Sequence, residues 1–127
     1  TIVKLNEHEL SVVAESLGLP AVAVDEQLQA LCDTLGLAAG VYTRGQRGTL
    51  LMTIDATIDV QAVSYPAAAD ADAVGAGDAC TAGILVGWLT GSAPEKTAAL
   101  ANHLGAYVAS QPGATPELPV AITAMID

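Results

Sequence analysis

Phenylalanine is missing from this sequence altogether, and aromatic side chains make up only 3% of its 127 residues. A core must therefore be filled by Ala, Val, Leu and Ile, and the supply is ample, since 52% of the residues are hydrophobic. A chain of this length makes one domain at most and hides about two thirds of the surface that its unfolded form exposes. Basic residues are also scarce: four Lys and Arg stand against fourteen Asp and Glu, a formal net charge of −10. That balance excludes general binding to nucleic acid or to anionic membranes, both of which need a basic face. Solubility, or a salt-rich host, accounts for the acidity. No apolar run is long enough to span a bilayer: the uncharged stretch Ala79–Pro94 is broken by Thr, Ser and glycines, and its apolar heart falls far short of ~20 residues. The opening residues show no charged segment followed by a small-residue cleavage site, so no secretory leader is expected and the cytoplasm is the expected compartment. Cysteine is rare, and Cys32 and Cys80 have no metal-ligand spacing around them; reduced, buried thiols are expected.

Two familiar phosphate-binding loops are missing as well. The dinucleotide pattern G-x-G-x-x-G fails at Gly75-Ala76-Gly77, because its third glycine is replaced by Cys80. A Walker A loop needs Gly-Lys-Ser/Thr, yet Lys4 and Lys96 follow Val3 and Glu95.

What is present reads as α/β. The opening "TIVKL" is β-branched and apolar and reads as a strand running into Asn6. The segment "EHELSVVAESLGL" places Leu10, Val13 and Leu17 on one helical face and closes near Gly18. After a connector, Pro20–Val24, "DEQLQALCDTLGL" repeats the pattern, with acids in its first turn and Gly36 at its end. "AAGVYT" and "TLLMTI" read as buried strands joined by a turn at "RGQRG", and "TIDVQAV" alternates like a strand with one wet face. A loop from Ser64 to Val74 then leads to a helix over Gly77–Leu89 and a second over Pro94–Ala109, with Pro in its first turn. "SQPGATPELP" reads as turn or loop and "VAITAMID" as a short final helix. The strands are few for a complete doubly wound sheet, so a portion of a larger domain is expected.

Three places carry candidate chemistry. Gly75-Ala76-Gly77-Asp78 heads an apolar helix, where unpaired backbone N–H groups and a partial positive charge suit a phosphate or a developing oxyanion. An Asp that merely caps the helix is the competing explanation. "NEHE", Asn6–Glu9, stands where a strand meets a helix, and ligands of open α/β sheets sit at the carboxyl ends of strands. There Asn6 can donate to phosphate and Glu9 can hold a hydrated Mg²⁺; an Asn cap followed by acids explains the same residues. "TRGQRG", Thr43–Gly48, offers a hydroxyl and bare backbone at Gly45 and Gly48, while Arg44 and Arg47 read as solvated residues of a hairpin turn.

In this order and at this spacing, "NEHE", "TRGQRG", "DAVGAGD" and "ANHLGAYVASQPGA" resemble the motifs of the ribokinase-like (pfkB) carbohydrate kinases. The resemblance covers nearly the whole chain and matches the C-terminal half of those enzymes, and "KLNEHEL" looks most like fructokinases. It implies a three-layer α/β/α fold of which residues 1–127 form the C-terminal, ATP-binding part, with the N-terminal sugar-binding half and lid absent. The implied activity is ATP-dependent phosphorylation of a sugar hydroxyl, of fructose or a related carbohydrate, with this chain inactive alone. Asp78 then matches the general base, and Gly75, Ala76 and Gly77 the anion hole. Asn6 and Glu9 match the motif that organises phosphate and, through water, Mg²⁺. Thr43, Gly45 and Gly48 match the loop beside the nucleotide phosphates, and Asn102 a position lining the adenine pocket. Asp72 and the turn Gln111–Ala114 match a region that binds a monovalent cation such as K⁺ in several members.

Ala73 stands where that signature usually has Thr, and Cys80 where an aromatic is common. His8 and His103 are expected at the surface or supporting other residues. The implied partners are a small-molecule sugar, no nucleic acid, no membrane, and a second copy in a full-length homodimer. Two other readings stay open: a nucleoside or phosphosugar kinase of the same family, and a non-catalytic nucleotide-binding remnant.

Overall fold

The computed structural model describes residues 1–126, and they form an α/β arrangement with helices in the predicted places. The chain divides into two compact units: Thr1–Gly45 with Thr49–Asp59, and Gln46–Gly48 with the chain from Val60 onward.

The first unit begins with strand β1 (Ile2–Asn6), followed by helices α1 (Glu7–Ser16) and α2 (Val24–Leu35). Strand β2 (Ala39–Thr43) then runs parallel to β1, pairing Ile2 with Ala39 and Asn6 with Thr43. Strand β3 (Thr49–Thr53) returns antiparallel to β2 after a 3-10 turn over Gly45–Arg47, and β4 (Thr57–Val60) is last in the order β1-β2-β3-β4. Aliphatic residues dominate the core, as the composition requires: Leu5, Leu10, Leu28, Leu31, Leu50 and Met52 pack with Tyr42. Cys32 lies buried against this layer as a free thiol, and burial, reinforced by neighbouring Asp33, pushes its pKa up. A thiol held protonated in this way is a packing residue and no nucleophile.

In the second unit, helix α3 (Ala76–Thr90) and helix α4 (Pro94–Ala109) pack against each other, and a last short helix, α5 (Val120–Thr123), covers part of α4. Asp127, the last residue of the predicted final helix, lies outside the described residues. Small residues bring α3 and α4 close: a Cβ on Gly83 would sit 2.8 Å from the Ala101 Cα, and one on Gly87 2.4 Å from the Thr97 hydroxyl. Gly83→Ala is therefore an overpacking change against backbone, and it should lower stability by about 1–3 kcal/mol, read as a shift in the denaturant midpoint. A surrounding cluster of Leu100, Leu104 and Ile122, with Tyr65 and Tyr107 at its margin, completes this core.

Several element ends differ by one to three residues from the sequence reading, and the final helix α5 ends at Thr123 where "VAITAMID" was read as helical. β4 stops at Val60, short of the predicted "TIDVQAV", because the Asn102 side-chain amide takes the Val60 and Gln61 carbonyls at 3.1 and 2.9 Å. Helix α3 begins one residue early, at Ala76, with Gly75 as its N-cap.

Candidate active site

The first unit gathers Asn6 and Thr43 side by side. They are register partners at the carboxyl ends of two parallel strands, where crossover topology leaves backbone groups open to a ligand. The Thr43 hydroxyl donates to the Leu5 carbonyl at 3.4 Å, which turns it along the strand ends. Asn6 and Glu9 form a reciprocal capping box: the Glu9 N–H donates to Asn6 Oδ1 at 2.9 Å, and the Asn6 N–H donates to Glu9 Oε2 at 2.8 Å. The capping explanation of "NEHE" thus describes its geometry. Both residues are nonetheless exposed, and the box leaves Oε1 of Glu9 and the Asn6 side-chain amide NH₂ outside it. A single carboxylate with water around it is the donor set Mg²⁺ accepts. Among the described residues there is no group of three His, Cys, Asp or Glu that could cage a metal ion.

Arg44 corrects one expectation. It is not solvated but forms a bidentate ion pair with Asp59, its Nη1 donating to Oδ2 at 3.2 Å and its Nη2 to Oδ1. The hydrogen bond from the guanidinium holds the Asp59 carboxyl below the usual carboxylate range. A depressed folded-state pKa stabilises the fold above the unfolded value and loses that contribution as pH falls through the folded one. Asp59→Asn should therefore flatten the acid limb of a stability–pH profile, by a small margin because the Asp59 carboxylate is solvent-exposed. Gly45, beside it, has a left-handed φ of +55° with open space around its Cα.

The second unit holds the other candidates. Gly48 is buried with a φ of +88°, and a Cβ there would meet the Val60 carbonyl oxygen at 2.1 Å. The backbone that Gly48 touches is the one Asn102 grips, so these two predicted residues meet at Val60–Gln61. The Asn102 amide NH₂ is committed to that grip, which makes Asn102 a wall of whatever it lines, built in from one side.

Gly75 takes a left-handed φ of +81° as the N-cap of α3 and makes no side-chain cap. Asp78 therefore stands in the third helical position of the first turn, not at the cap, which removes the capping explanation for it. Its carboxylate is exposed and makes no hydrogen bond or ion pair among the described residues. The N–H groups of Gly77 and Asp78 likewise find no backbone acceptor there, whereas the Ala76 N–H donates to the Ala73 carbonyl at 3.2 Å. Of the predicted anion hole, then, Ala76 spends its donor in shaping the turn.

Asp72 sits before this turn and bridges it to the predicted "QPGA" region. Its Oδ1 accepts from the Val74 N–H at 3.0 Å, and its Oδ2 from the Gly113 N–H at 3.2 Å. Cys80 is buried on α3, near where Gly105 of α4 makes its approach. His8 is exposed; His103 is held at Nδ1 by the Tyr65 hydroxyl, 2.6 Å away, and Tyr65 packs edge-on against Tyr107. Burial, with Tyr107 beside it, pushes the Tyr65 pKa up, so the phenol stays protonated. Sequence reading missed Tyr65, and also Asp59, because each finds its partner far away in the chain.

Residues 1–121 match the family described as pfkB family carbohydrate kinase. The chain belongs to that family. Its fold is that of solved kinases. The ribokinase of Thermotoga maritima superposes with a TM-score of 0.81 at 20% identity, over 98% of this chain and 41% of that one. A nucleoside kinase of Burkholderia thailandensis, solved in complex with inosine, gives 0.77 at 28% identity over 100% of this chain and 38% of that one. The Arabidopsis thaliana ribokinase, solved with ribose and ATP, gives 0.77 at 27% identity over 98% and 40%. No curated protein sequence matches the chain. This pfkB chain thus spans 38–41% of the length of those three kinases. Among its described residues no helix is long and apolar enough to cross a membrane.

Proposed function

We propose that this chain carries the nucleotide-binding groups and the catalytic base of a kinase that transfers the γ-phosphoryl group of ATP to a hydroxyl of a small sugar, fructose or a related carbohydrate. The observation that carries the reading is Asp78: an exposed carboxylate in the first turn of a helix, capping nothing, directly behind the open N–H groups of a glycine-rich turn.

Phosphoryl transfer asks little covalent chemistry of a protein; it asks for positioning and for stabilisation of charge. The acceptor hydroxyl must lose a proton as its oxygen bonds to phosphorus, and Asp78 is the carboxylate that takes it. The N–H groups of Gly77 and Asp78, at the positive end of the α3 dipole, donate to the phosphoryl oxygens as negative charge shifts towards the leaving group. In the first unit, the amide of Asn6 and the Thr43 hydroxyl bind nucleotide phosphate oxygens, and Gly45 keeps a side chain out of the way; in the second, Gly48 lets the backbone pass close to Val60–Gln61. Bound Mg²⁺ would neutralise the phosphate charge, held by Glu9 through water beside Asn6. Asn102 fixes the backbone at Val60–Gln61 that lines the base.

A nucleoside acceptor is the second reading, favoured by the 28% identity to a nucleoside kinase, on a par with the 27% to a ribokinase. An active protein carrying this chain, given ATP with fructose, ribose or inosine in turn, should phosphorylate the sugars. Transfer to inosine alone would move the assignment to nucleosides. Nucleotide binding without transfer to any acceptor would leave a non-catalytic role.

A further inference from the structure

The loop entering α3 is laced to the turn leaving α4. The Ala68 N–H donates to the Ser110 carbonyl at 2.9 Å, the Asp72 N–H to the Gln111 carbonyl at 3.2 Å, and the Gly113 N–H to Asp72 Oδ2 at 3.2 Å. Next to these bonds, Gly75 lies so close to Ala114 that a Cβ on Gly75 would stand 2.6 Å from the Ala114 Cβ. Among the described residues only one side chain takes part in the lacing, that of Asp72, and it binds both sides: Val74 on its own loop and Gly113 across from it. Val74 immediately precedes Gly75. Whatever fixes Val74 and Gly113 therefore fixes the left-handed N-cap of α3, and with it the direction in which the N–H groups of Gly77 and Asp78 point.

We propose that Asp72 is a positioning residue for the anion-binding turn: its carboxylate clamps Val74 to Gly113 and sets the α3 N-terminus. The proposal rests on the reading of that turn as a phosphate site. Each carboxylate oxygen of Asp72 accepts from one backbone N–H, one on its own loop and one across from it. A carboxylate is the right group for a clamp: it can accept on both oxygens at once, and hydrogen bonds to a charged acceptor are stronger than neutral ones.

The test compares the chain with its Asp72→Asn and Asp72→Ala variants. Amide hydrogen exchange at Val74 and Gly113 is followed beside the binding of ATP–Mg²⁺. Asp72→Ala should lose protection at both amides and bind ATP–Mg²⁺ about tenfold more weakly, with the melting temperature little changed because the carboxylate is exposed. The Asn variant has one acceptor oxygen instead of two, so it should keep one amide protected and fall between. Retained protection at Gly113 in Asp72→Ala would overturn the clamp. Should the parent not bind ATP, the phosphate-site reading fails, and the exchange pattern still decides whether Asp72 clamps the turn.

Discussion

Asp78→Asn, in an active protein that carries this chain, is expected to lower turnover by about 10²–10⁴-fold while leaving the fold and ATP affinity nearly intact. Asn keeps the size of the side chain and its exposed place in the first turn of α3, but it cannot accept the proton of the acceptor hydroxyl. The structure sharpens this expectation. A residue at the N-cap would lose stability on substitution, typically about 1 kcal/mol; Gly75 holds that position, and among the described residues Asp78 makes no bond that Asn would have to replace. Removing a negative charge from the helix N-terminus costs a few tenths of a kcal/mol, too little to show in activity. Turnover and melting temperature measured on the same pair of proteins separate the two roles. A normal turnover with a lowered melting temperature would remove Asp78 from the chemistry.

The second large effect is expected at Gly75. An alanine there must adopt a φ near +81° and place its Cβ 2.6 Å from that of Ala114. The left-handed conformation costs about 1–2 kcal/mol for an L-residue, and forcing apart a packed contact about 1–3 kcal/mol. The cheapest escape is for the turn to move, which withdraws the N–H groups of Gly77 and Asp78 from their common direction. Gly75→Ala should thus lose stability by about 2–5 kcal/mol by the same reckoning, and lose phosphate binding with it. Gly91 is the control: it also has a positive φ, +69°, but open space around it, so Gly91→Ala should lose only the conformational part and keep nucleotide binding. Equal losses at the two positions in a denaturant titration would show that the contact with Ala114 plays no part.

The helices were legible in the sequence because each is written locally. Asn6 and Glu9 spell a capping box, Gly18 and Gly36 end α1 and α2, and Pro94 opens α4. The hairpin at "RGQRG" was legible for the same reason, and so were the strands feeding Asn6 and Thr43, though not their parallel pairing. What the sequence could not show lies in contacts between distant residues. Nothing near Val60 announces that β4 ends there; the cause is Asn102, more than forty residues on. Arg44 looked solvated because its partner, Asp59, follows a whole strand later. The glycine-rich turn was legible as a site, but its division of labour was not: that Ala76 spends its N–H on Ala73, while Gly77 and Asp78 keep theirs, depends on a turn held from outside by Asp72 and Ala114.

Titration of the isotope-labelled chain with ATP–Mg²⁺, followed amide by amide in solution NMR, tests the central claim most directly. If the N-terminus of α3 is the phosphate site, the amide signals of Gly77 and Asp78 should move first and furthest in the second unit. Those of Asn6 and Thr43 should move in the first unit, and Leu85, Trp88 and Leu89 on the exposed flank of α3 should stay still. Shifts confined to residues away from the Gly75–Asp78 turn, or no shifts at saturating nucleotide, would contradict it.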